Sequence, residues 1–423
     1  MNINKQSTKV SILVLATALS SNTWAGETED KLSASGLTPF TANTPAIAAE
    51  VNENNLKLLN KIEDLTTFSA SVDCSINPDG LKNMIHRGAF HVLFTGPCNG
   101  PIWNSKRLSL EGSGKASSSI NAVAVAGAEE IIWNRNTRLN IKNTTLNNSI
   151  FDVVIGSDQG SEVRLENVDI IGPGALVSID GENSETTCLY TRQGSYRLTD
   201  VNISNCATGV SANYGSYIRA QGNTNITTTG AGVTFPFSVK HNSTIEIRDG
   251  VTANNGSTNA ETEGAELVAM YSSSILLKGG SLDSVGVLMS STVEMTGGTI
   301  NDKLLVEGSS AHIKGGSFDA SADIESTKSY LFLDNNIDIN SLELISSSFV
   351  ADKGMLTTDD LKLNSFSSLR FYGDLSHSLG SIRGDDSKIS VHNNAAISST
   401  CTSLDNISFE NVSNNNLSTD QCN

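Results

Sequence analysis

SSILLKGGSL (residues 273–282), STVEMTGGTI (291–300) and SSAHIKGGSF (309–318) are three copies of one pattern, each starting 18 residues after the previous one. Every copy begins with a serine, carries apolar residues at positions three and five, and has a glycine pair at positions seven and eight. Self-similarity at a short fixed period is typical of solenoids, in which one repeat cannot bury its apolar face alone. This stretch therefore indicates a repeat architecture.

The pattern extends in both directions, at intervals of 18 to 33 residues, to thirteen copies. They start at Lys106, Thr137, Ser161, Gly194, Ser216, Ser243, Ser273, Ser291, Ser309, Ser329, Ser347, Ser367 and Ser387. The third position reads Leu108, Leu139, Val163, Tyr196, Ile218, Ile245, Ile275, Val293, Ala311, Leu331, Phe349, Leu369 and Ile389. The fifth reads Leu110, Ile141, Leu165, Leu198, Ala220, Ile247, Leu277, Met295, Ile313, Leu333, Ala351, Phe371 and Val391. This alternation predicts a short strand with one buried face in every copy.

Short strands at these intervals do not pair regularly as hairpins, but parallel stacking of successive copies buries both apolar columns. Gly, Asn or Asp at position seven, as in Asn143, Gly222, Asp249, Gly297 and Asn393, suits a left-handed turn into the next strand. We therefore predict an all-β chain, a parallel β-helix (β-solenoid) of about thirteen rungs over residues 106–400. A β-sandwich of short strands is the alternative.

The N-terminal segment and the cysteines indicate export. Residues 1–25 contain Lys5 and Lys9, a short apolar run and a small-residue end at Ala25, as a secretory signal peptide does. The six cysteines fall into three local couples without zinc-site spacing, and in an exported chain they predict disulfides. The couples are Cys74 with Cys98, Cys188 with Cys206, and Cys401 with Cys422. We predict a secreted or periplasmic protein.

Charge narrows the range of partners. The chain has 28 basic and 45 acidic residues, a net charge of −17, which repels nucleic acid. After residue 25 no apolar run is long enough to span a bilayer, so we expect no membrane insertion.

Residues 72–112 carry a family resemblance. The stretch GLKNMIHRGA (80–89), followed by HVLFTGPCNGPI (91–102) and LSLEG (108–112), resembles the opening segment of right-handed parallel β-helix proteins of the pectin-lyase-like superfamily. There a capping helix precedes the first strand and the first rung. The resemblance implies a right-handed parallel β-helix with an N-terminal cap over residues 69–105. Because an exposed terminal rung is an open sheet edge, we also expect a tail or cap over residues 401–423.

Residues 26–68 form a linker with a predicted helix. Residues 39–59 look like a module that follows the signal peptide in exported proteins of Gram-negative bacteria. Val51, Asn55, Leu58, Ile62 and Leu65 step by four and three residues, so residues 45–65 could associate with a second copy as a short coiled coil. A lone helix capping the solenoid is the alternative.

Fold alone does not choose the function, since the superfamily contains polysaccharide lyases, glycoside hydrolases and non-catalytic adhesins. The Gly-His-Gly and Arg-Ile-Lys motifs that accompany paired aspartates in polygalacturonase-like enzymes are missing. We predict a non-catalytic protein that binds a polysaccharide or cell-surface glycan, or mediates surface attachment. A polysaccharide-degrading enzyme, acting on an acidic polymer, is the alternative.

Outward columns provide the candidate site residues. Arg164, Arg197 and Arg219 occupy position four of three consecutive copies, and could clamp acidic groups. Tyr214 and Tyr217 lie nearby and could offer flat faces to sugar rings. The competing interpretation is an arginine ladder neutralised by Glu162, Glu166 and Asp200, with tyrosines that only cover the core.

Position six supplies the candidate catalytic residues, which are Asp334, Asp352, Tyr372 and His392 in four consecutive copies. Two carboxylates one rung apart would approach the separation used by retaining glycosidases. An ordinary run of polar surface residues is the alternative. No metal or cofactor is specified, although Asn-rich turns such as Asp334-Asn335-Asn336 could hold Ca²⁺.

Overall fold

The computed structural model describes residues 69–174, 176–179, 182–230, 234–256, 265–410 and 416–417. The predicted signal peptide (1–25), the linker and helix (26–68) with its coiled-coil segment, and Cys422 lie outside these residues. The described chain contains one helix, α1 (Gly80–His86), and is otherwise built of strands. The strands are β1 (Ser69–Asp73), β2 (His91–Asn99), β3 (Ile102–Asn104), β4 (Leu108–Gly112), β5 (Ser118–Asn121), β6 (Glu130–Arg135), β7 (Arg138–Asn147), β8 (Val153–Asp158), β9 (Glu162–Gly174), β10 (Leu176–Ile179), β11 (Glu182–Glu185), β12 (Thr187–Arg192), β13 (Ser195–Cys206), β14 (Thr208–Asn213), β15 (Tyr217–Gln221), β16 (Asn225–Thr227), β17 (Phe235–Lys240), β18 (Thr244–Ile247), β19 (Thr252–Asn254), β20 (Leu267–Met270), β21 (Ser274–Leu288), β22 (Thr292–Glu307), β23 (Ser310–Phe318), β24 (Asp323–Thr327), β25 (Tyr330–Leu333), β26 (Ile337–Ile345), β27 (Ser348–Ala351), β28 (Leu356–Asn364), β29 (Ser368–Phe371), β30 (Ser376–Asp385), β31 (Lys388–Val391), β32 (Ala396–Asp405), β33 (Ser408–Glu410) and β34 (Asn416–Leu417).

These strands form the predicted parallel β-helix. Each turn places one strand segment in each of three parallel ladders, which we call sheets A, B and C. Sheet A holds the predicted repeat, as in β13–β15–β18–β21; sheet B follows it, as in β16–β19, and sheet C precedes it, as in β12–β14–β17. The antiparallel pair β10–β11 is an insertion. Long strands such as β22 bend through two corners and contribute to all three sheets.

The β-helix has about 15 turns, two more than the thirteen rungs predicted. The first additional turn is His91–Phe94, which pairs with β4 although it lies in the predicted cap. The second is β33, which pairs with β31 beyond residue 400. Both were missed because neither carries the full seven-residue pattern on which the alignment rested.

The core is built from the two apolar columns. Every residue predicted at positions three and five is buried, and the largest fully buried side chains include Tyr196, Phe349 and Phe371. The turn after the strand uses the left-handed region, at position seven in Asn143 (φ 53°) and Gly222 (φ 68°). After Gly297 the left-handed residue is instead the next one, Gly298 (φ 83°).

A buried serine ladder marks the corner between sheets C and A. From Ser243 to Ser387, each position-one serine hydroxyl accepts a hydrogen bond from the backbone N–H of the position-one serine one turn earlier. For example, the Ser309 N–H donates to Ser329 Oγ over 3.1 Å, and the Ser329 N–H donates to Ser347 Oγ over 3.2 Å. The sequence pattern thus reflects a requirement for a small acceptor inside the corner.

Disulfides and the cap helix close the N-terminal part. Cys74 bonds to Cys98 and Cys188 bonds to Cys206, which confirms two of the three predicted pairs. Helix α1 buries Leu81 completely and precedes β2 in the chain.

Candidate functional site: a basic strip on sheet A

Six cations lie on the outer surface of sheet A in six consecutive turns, and we call this set the basic strip. Its members are Arg138, Arg164, Arg197, Arg219, Arg248 and Lys278. The three predicted ladder arginines are direct neighbours, since Arg197 pairs in register with Arg164 on one side and with Arg219 on the other. The parallel stacking of turns therefore brings together charges that are 22 to 33 residues apart in the chain.

Glu162 is the anchor of the first half of the strip. It contacts Arg138 Nε at 2.7 Å, an Arg164 terminal nitrogen at 2.7 Å and Arg197 Nε at 3.3 Å. Partial burial opposes ionisation of this carboxylate, but hydrogen bonds from Arg164 and Arg138 outweigh it and lower its pKa. Glu162 therefore stays ionised and holds the three guanidinium groups together.

Glu246 plays the same part in the second half. Its side chain is only 3% exposed and meets Arg219 at 2.9 Å, Arg248 at 2.7 Å and Lys278 at 2.9 Å. The Tyr217 hydroxyl donates a further hydrogen bond to it. Burial disfavours the charged form, but the hydrogen bonds from Tyr217, Lys278 and the arginines lower the pKa of Glu246 far below its usual range.

The strip keeps an excess of positive charge, because six cations surround two carboxylates on a chain of net charge −17. Glu166 and Asp200, the other expected neutralising groups, are engaged elsewhere. Glu166 pairs with Lys142 at 2.5 Å, and Asp200 accepts the Asn223 N–H at 2.8 Å. Neutralisation is therefore partial, and the side chains of Arg197 and Lys278 remain 47% and 45% exposed.

The two tyrosines differ in what they can offer a ligand. Tyr217 belongs to the Glu246 cluster, and its ring lies 5.7 Å from the Arg219 guanidinium carbon. Tyr214 is 47% exposed, but the Arg192 guanidinium lies 4.8 Å from its ring on one side and His241 stacks at 4.7 Å on the other. Its ring edge and hydroxyl, rather than a free face, are therefore presented to solvent.

The four candidate catalytic residues lie on the outer side of sheet A in four consecutive turns. Each one directly follows a strand of that sheet, namely β25, β27, β29 or β31. Asp334 Oδ2 accepts a hydrogen bond from His312 Nε2 at 3.1 Å, and the Oδ1 atom of Asp334 is buried without a protein partner among the described residues. Tyr372 and His392 stack with ring centroids 4.5 Å apart. The turns thus bring these side chains into a row, as the spacing predicted.

Two asparagines of the Asp334-Asn335-Asn336 turn, which the sequence left open as a place for Ca²⁺, form hydrogen bonds within the protein. The Asn335 amide donates to the Gly316 carbonyl at 2.8 Å, and Asn336 Oδ1 accepts the Met355 N–H at 2.8 Å. Across the part of the chain that is described, no group of three or more His, Cys, Asp or Glu side chains is arranged to hold a metal ion.

A row of exposed and half-buried residues lies at the corner between sheets C and A, and we call it the corner strip; the sequence analysis identified only Tyr214 among its members. It consists of Arg192, Tyr214, His241, Tyr271 and Met289, on five consecutive turns. His241 stacks on Tyr271 at 4.8 Å, and a shallow groove runs along the residues from Tyr214 to Met289. The sequence contained one signal that could have revealed this row: each member lies two residues before the position-one residue of its repeat.

Comparison with protein families, with curated proteins and with solved structures gave no match to this chain. Within the described residues, no helix has the length and apolar character needed for a membrane crossing. The function has to be argued from the surface of the β-helix itself.

Proposed function

We propose that this chain is an exported, non-catalytic β-helix protein that binds an acidic polysaccharide through the basic strip. The observation that carries the proposal is the surplus of cations on six consecutive turns of a strongly acidic chain. Such a surplus is not needed to stabilise sheet A, because neutral residues such as Thr292 and Ser310 occupy the outer surface in later turns. A polyanion is the ligand that this charge distribution favours.

The geometry of the strip suits a polymer that carries acidic groups at regular intervals. Successive turns of a parallel sheet are separated by about 4.8 Å, so the strip presents a cation at roughly this interval. Arginine binds carboxylate or sulfate with two parallel hydrogen bonds, which adds direction to charge attraction. Glu162 and Glu246 orient the guanidinium groups in advance, and this reduces the entropy lost on binding.

Export and surface attachment are part of the proposal. The predicted signal peptide supports them, and the two disulfides are consistent with an oxidising compartment, where such bonds persist. An acidic glycan of a cell surface or matrix is a partner available to an exported protein.

The test compares binding to immobilised polygalacturonate, chondroitin sulfate and neutral dextran. The double variant Arg197→Gln/Arg248→Gln removes one cation from each cluster and leaves both carboxylates with two partners. Losing two charge-assisted contacts of about 1 kcal/mol each should weaken binding to an acidic polymer roughly thirtyfold. Binding should also fall with added salt, and dextran should not bind.

Lys303→Gln/Lys362→Gln is the matched control, because it makes the same change in net charge on sheet C. Equal binding of both double variants and the unchanged chain would contradict the proposal. So would equal retention on dextran and on the acidic polymers.

A polysaccharide-degrading activity is the second candidate, and the row of Asp334 and Asp352 on consecutive turns is the observation in its favour. The same incubations, followed for new reducing ends and unsaturated-uronate absorbance, distinguish it from binding alone. We expect no product release. Products that disappear in Asp352→Asn would replace the binding proposal with an enzymatic one.

A further inference from the structure

The corner strip is more apolar than the fold requires. Tyr214, Tyr271 and Met289 are 47%, 45% and 51% exposed, and all three have left-handed backbones with φ of 55° to 56°. Bulky residues in this region cost roughly 1–2 kcal/mol each. At the same offset, two residues before the position-one serine, later turns carry small or charged residues such as Glu307, Ser365 and Asp385. Aromatic residues and methionine are therefore not explained by the turn itself.

The exposed atoms of the strip exclude several ligand classes. Its rings stack on one another at 4.7 and 4.8 Å, which leaves no gap for a sugar ring or a nucleobase to enter. Ring edges, two tyrosine hydroxyls, the imidazole and a thioether face solvent instead. Tyr, Met and Arg are the residue types enriched at the centres of protein–protein interfaces. The composition of the strip thus favours a protein partner.

The two ends of the strip carry opposite charges. Arg192 lies at one end, over the ring of Tyr214. At the other end, Glu307 extends the strip by one turn, because it lies two residues before Ser309; it is exposed, and its carbonyl accepts the Met289 N–H at 3.1 Å. Neither side chain forms a salt bridge within the described residues. A surface with a cation at one end, an anion at the other and an aromatic centre is complementary to itself in antiparallel orientation.

We propose that the corner strip is a homodimer interface, in which two copies of this chain pack antiparallel about a two-fold axis. Arg192 of each copy meets Glu307 of the other, Tyr214 meets Met289, and His241 meets Tyr271. A two-fold axis places the same patch of both copies in contact, so each pairing occurs twice. Thioether and aromatic groups attract each other, and the ion pairs fix the register.

The interface is small. From Arg192 to Glu307 it spans five steps of about 4.8 Å, roughly 24 Å along the β-helix. A contact of this length falls in the class of weak, transient interfaces, so we expect a dissociation constant in the micromolar range.

The test is sedimentation equilibrium of the full chain over a range of concentrations. Arg192→Glu and Glu307→Arg should each raise the dissociation constant of the dimer at least about tenfold, because like charges then face each other. The double variant Arg192→Glu/Glu307→Arg should restore it. A general effect of net charge is distinguishable, since the two single changes shift the net charge in opposite directions.

Tyr271→Ser should weaken the dimer by a similar factor, whereas Phe366→Ser is the control. Phe366 is also an exposed aromatic residue at a left-handed corner, 83% exposed with φ of 65°, but it lies several turns beyond the strip. A chain that is monomeric throughout overturns the proposal. An oligomer that is insensitive to Arg192→Glu, Glu307→Arg and Tyr271→Ser also overturns it and points to residues 45–65 instead.

Discussion

His377 gives a prediction that can be worked out from the structure. The side chain is 1% exposed, its ring centroid lies 4.1 Å from that of Phe371, and its Nδ1 atom accepts the Leu356 N–H at 3.1 Å. The Nε2 atom has no protein partner among the described residues. Burial disfavours the charged ring and lowers the pKa of His377 from 6.5 to about 4.

The direction of the pH dependence of stability follows from which state of the chain binds the proton. Between these two pKa values the unfolded chain binds a proton at this histidine and the folded chain does not. The free energy of unfolding that His377 contributes is therefore complete above about pH 6.5, falls as the pH decreases, and levels off near pH 4. For a shift of this size the loss between about pH 7.5 and pH 4.5 is about 2 to 3 kcal/mol.

The measurement is urea unfolding of the chain and of His377→Asn at several pH values. Asparagine can still accept the Leu356 N–H through its side-chain oxygen, but it does not titrate in this range. The variant should be less stable at neutral pH, because the packing against Phe371 is lost. Its stability should decline less with acid than that of the unchanged chain, by about 2 to 3 kcal/mol.

Other groups titrate in the same range, and the comparison of the two proteins cancels their contributions. Parallel pH profiles for the unchanged chain and His377→Asn would refute the reasoning. They would mean that water reaches the ring or that the folded chain accommodates the charged histidine.

Two further predictions concern buried polar groups. Burial raises the pKa of Glu266 to about 7, so the stability that this residue contributes is lost as the pH rises from 4.5 to 7. Glu266→Gln should therefore raise the free energy of unfolding near pH 8 by about 1 to 3 kcal/mol. Urea unfolding that shows no such gain would contradict this prediction. Ser329→Ala removes the acceptor of the Ser309 N–H and should cost about 1 to 3 kcal/mol in thermal or urea unfolding. The outward-facing Ser348→Ala is its control and should change stability by less than about 0.5 kcal/mol. A loss at Ser329 no larger than that at Ser348 would argue against the ladder as a stabilising element.

The basic strip illustrates what a sequence pattern can and cannot predict about a site. Arg164, Arg197 and Arg219 share one position of the repeat, so their alignment could be predicted before the structure was known. Glu162 was also expected as one of their carboxylate partners, but Glu246 was not. Lys278 meets Glu246 from 32 residues away and from a different position of the repeat, and only the stacked turns bring them together.

The corner strip was overlooked for a related reason. Its residues are separated by irregular intervals, because the loops between sheets B and C differ in length, and they share neither charge nor size. Tyr214, His241 and Tyr271 become neighbours only when the serines that follow them are stacked at one corner.

The sequence by itself determined the repeat, the buried columns and two of the disulfides. These depend on apolar alternation and on chemistry within about one turn, which local order preserves. Tertiary structure decided the number of turns, the partners of each charge and the make-up of the two exposed strips. Their members lie in different turns, and parallel stacking sets their distances whatever the number of residues between them.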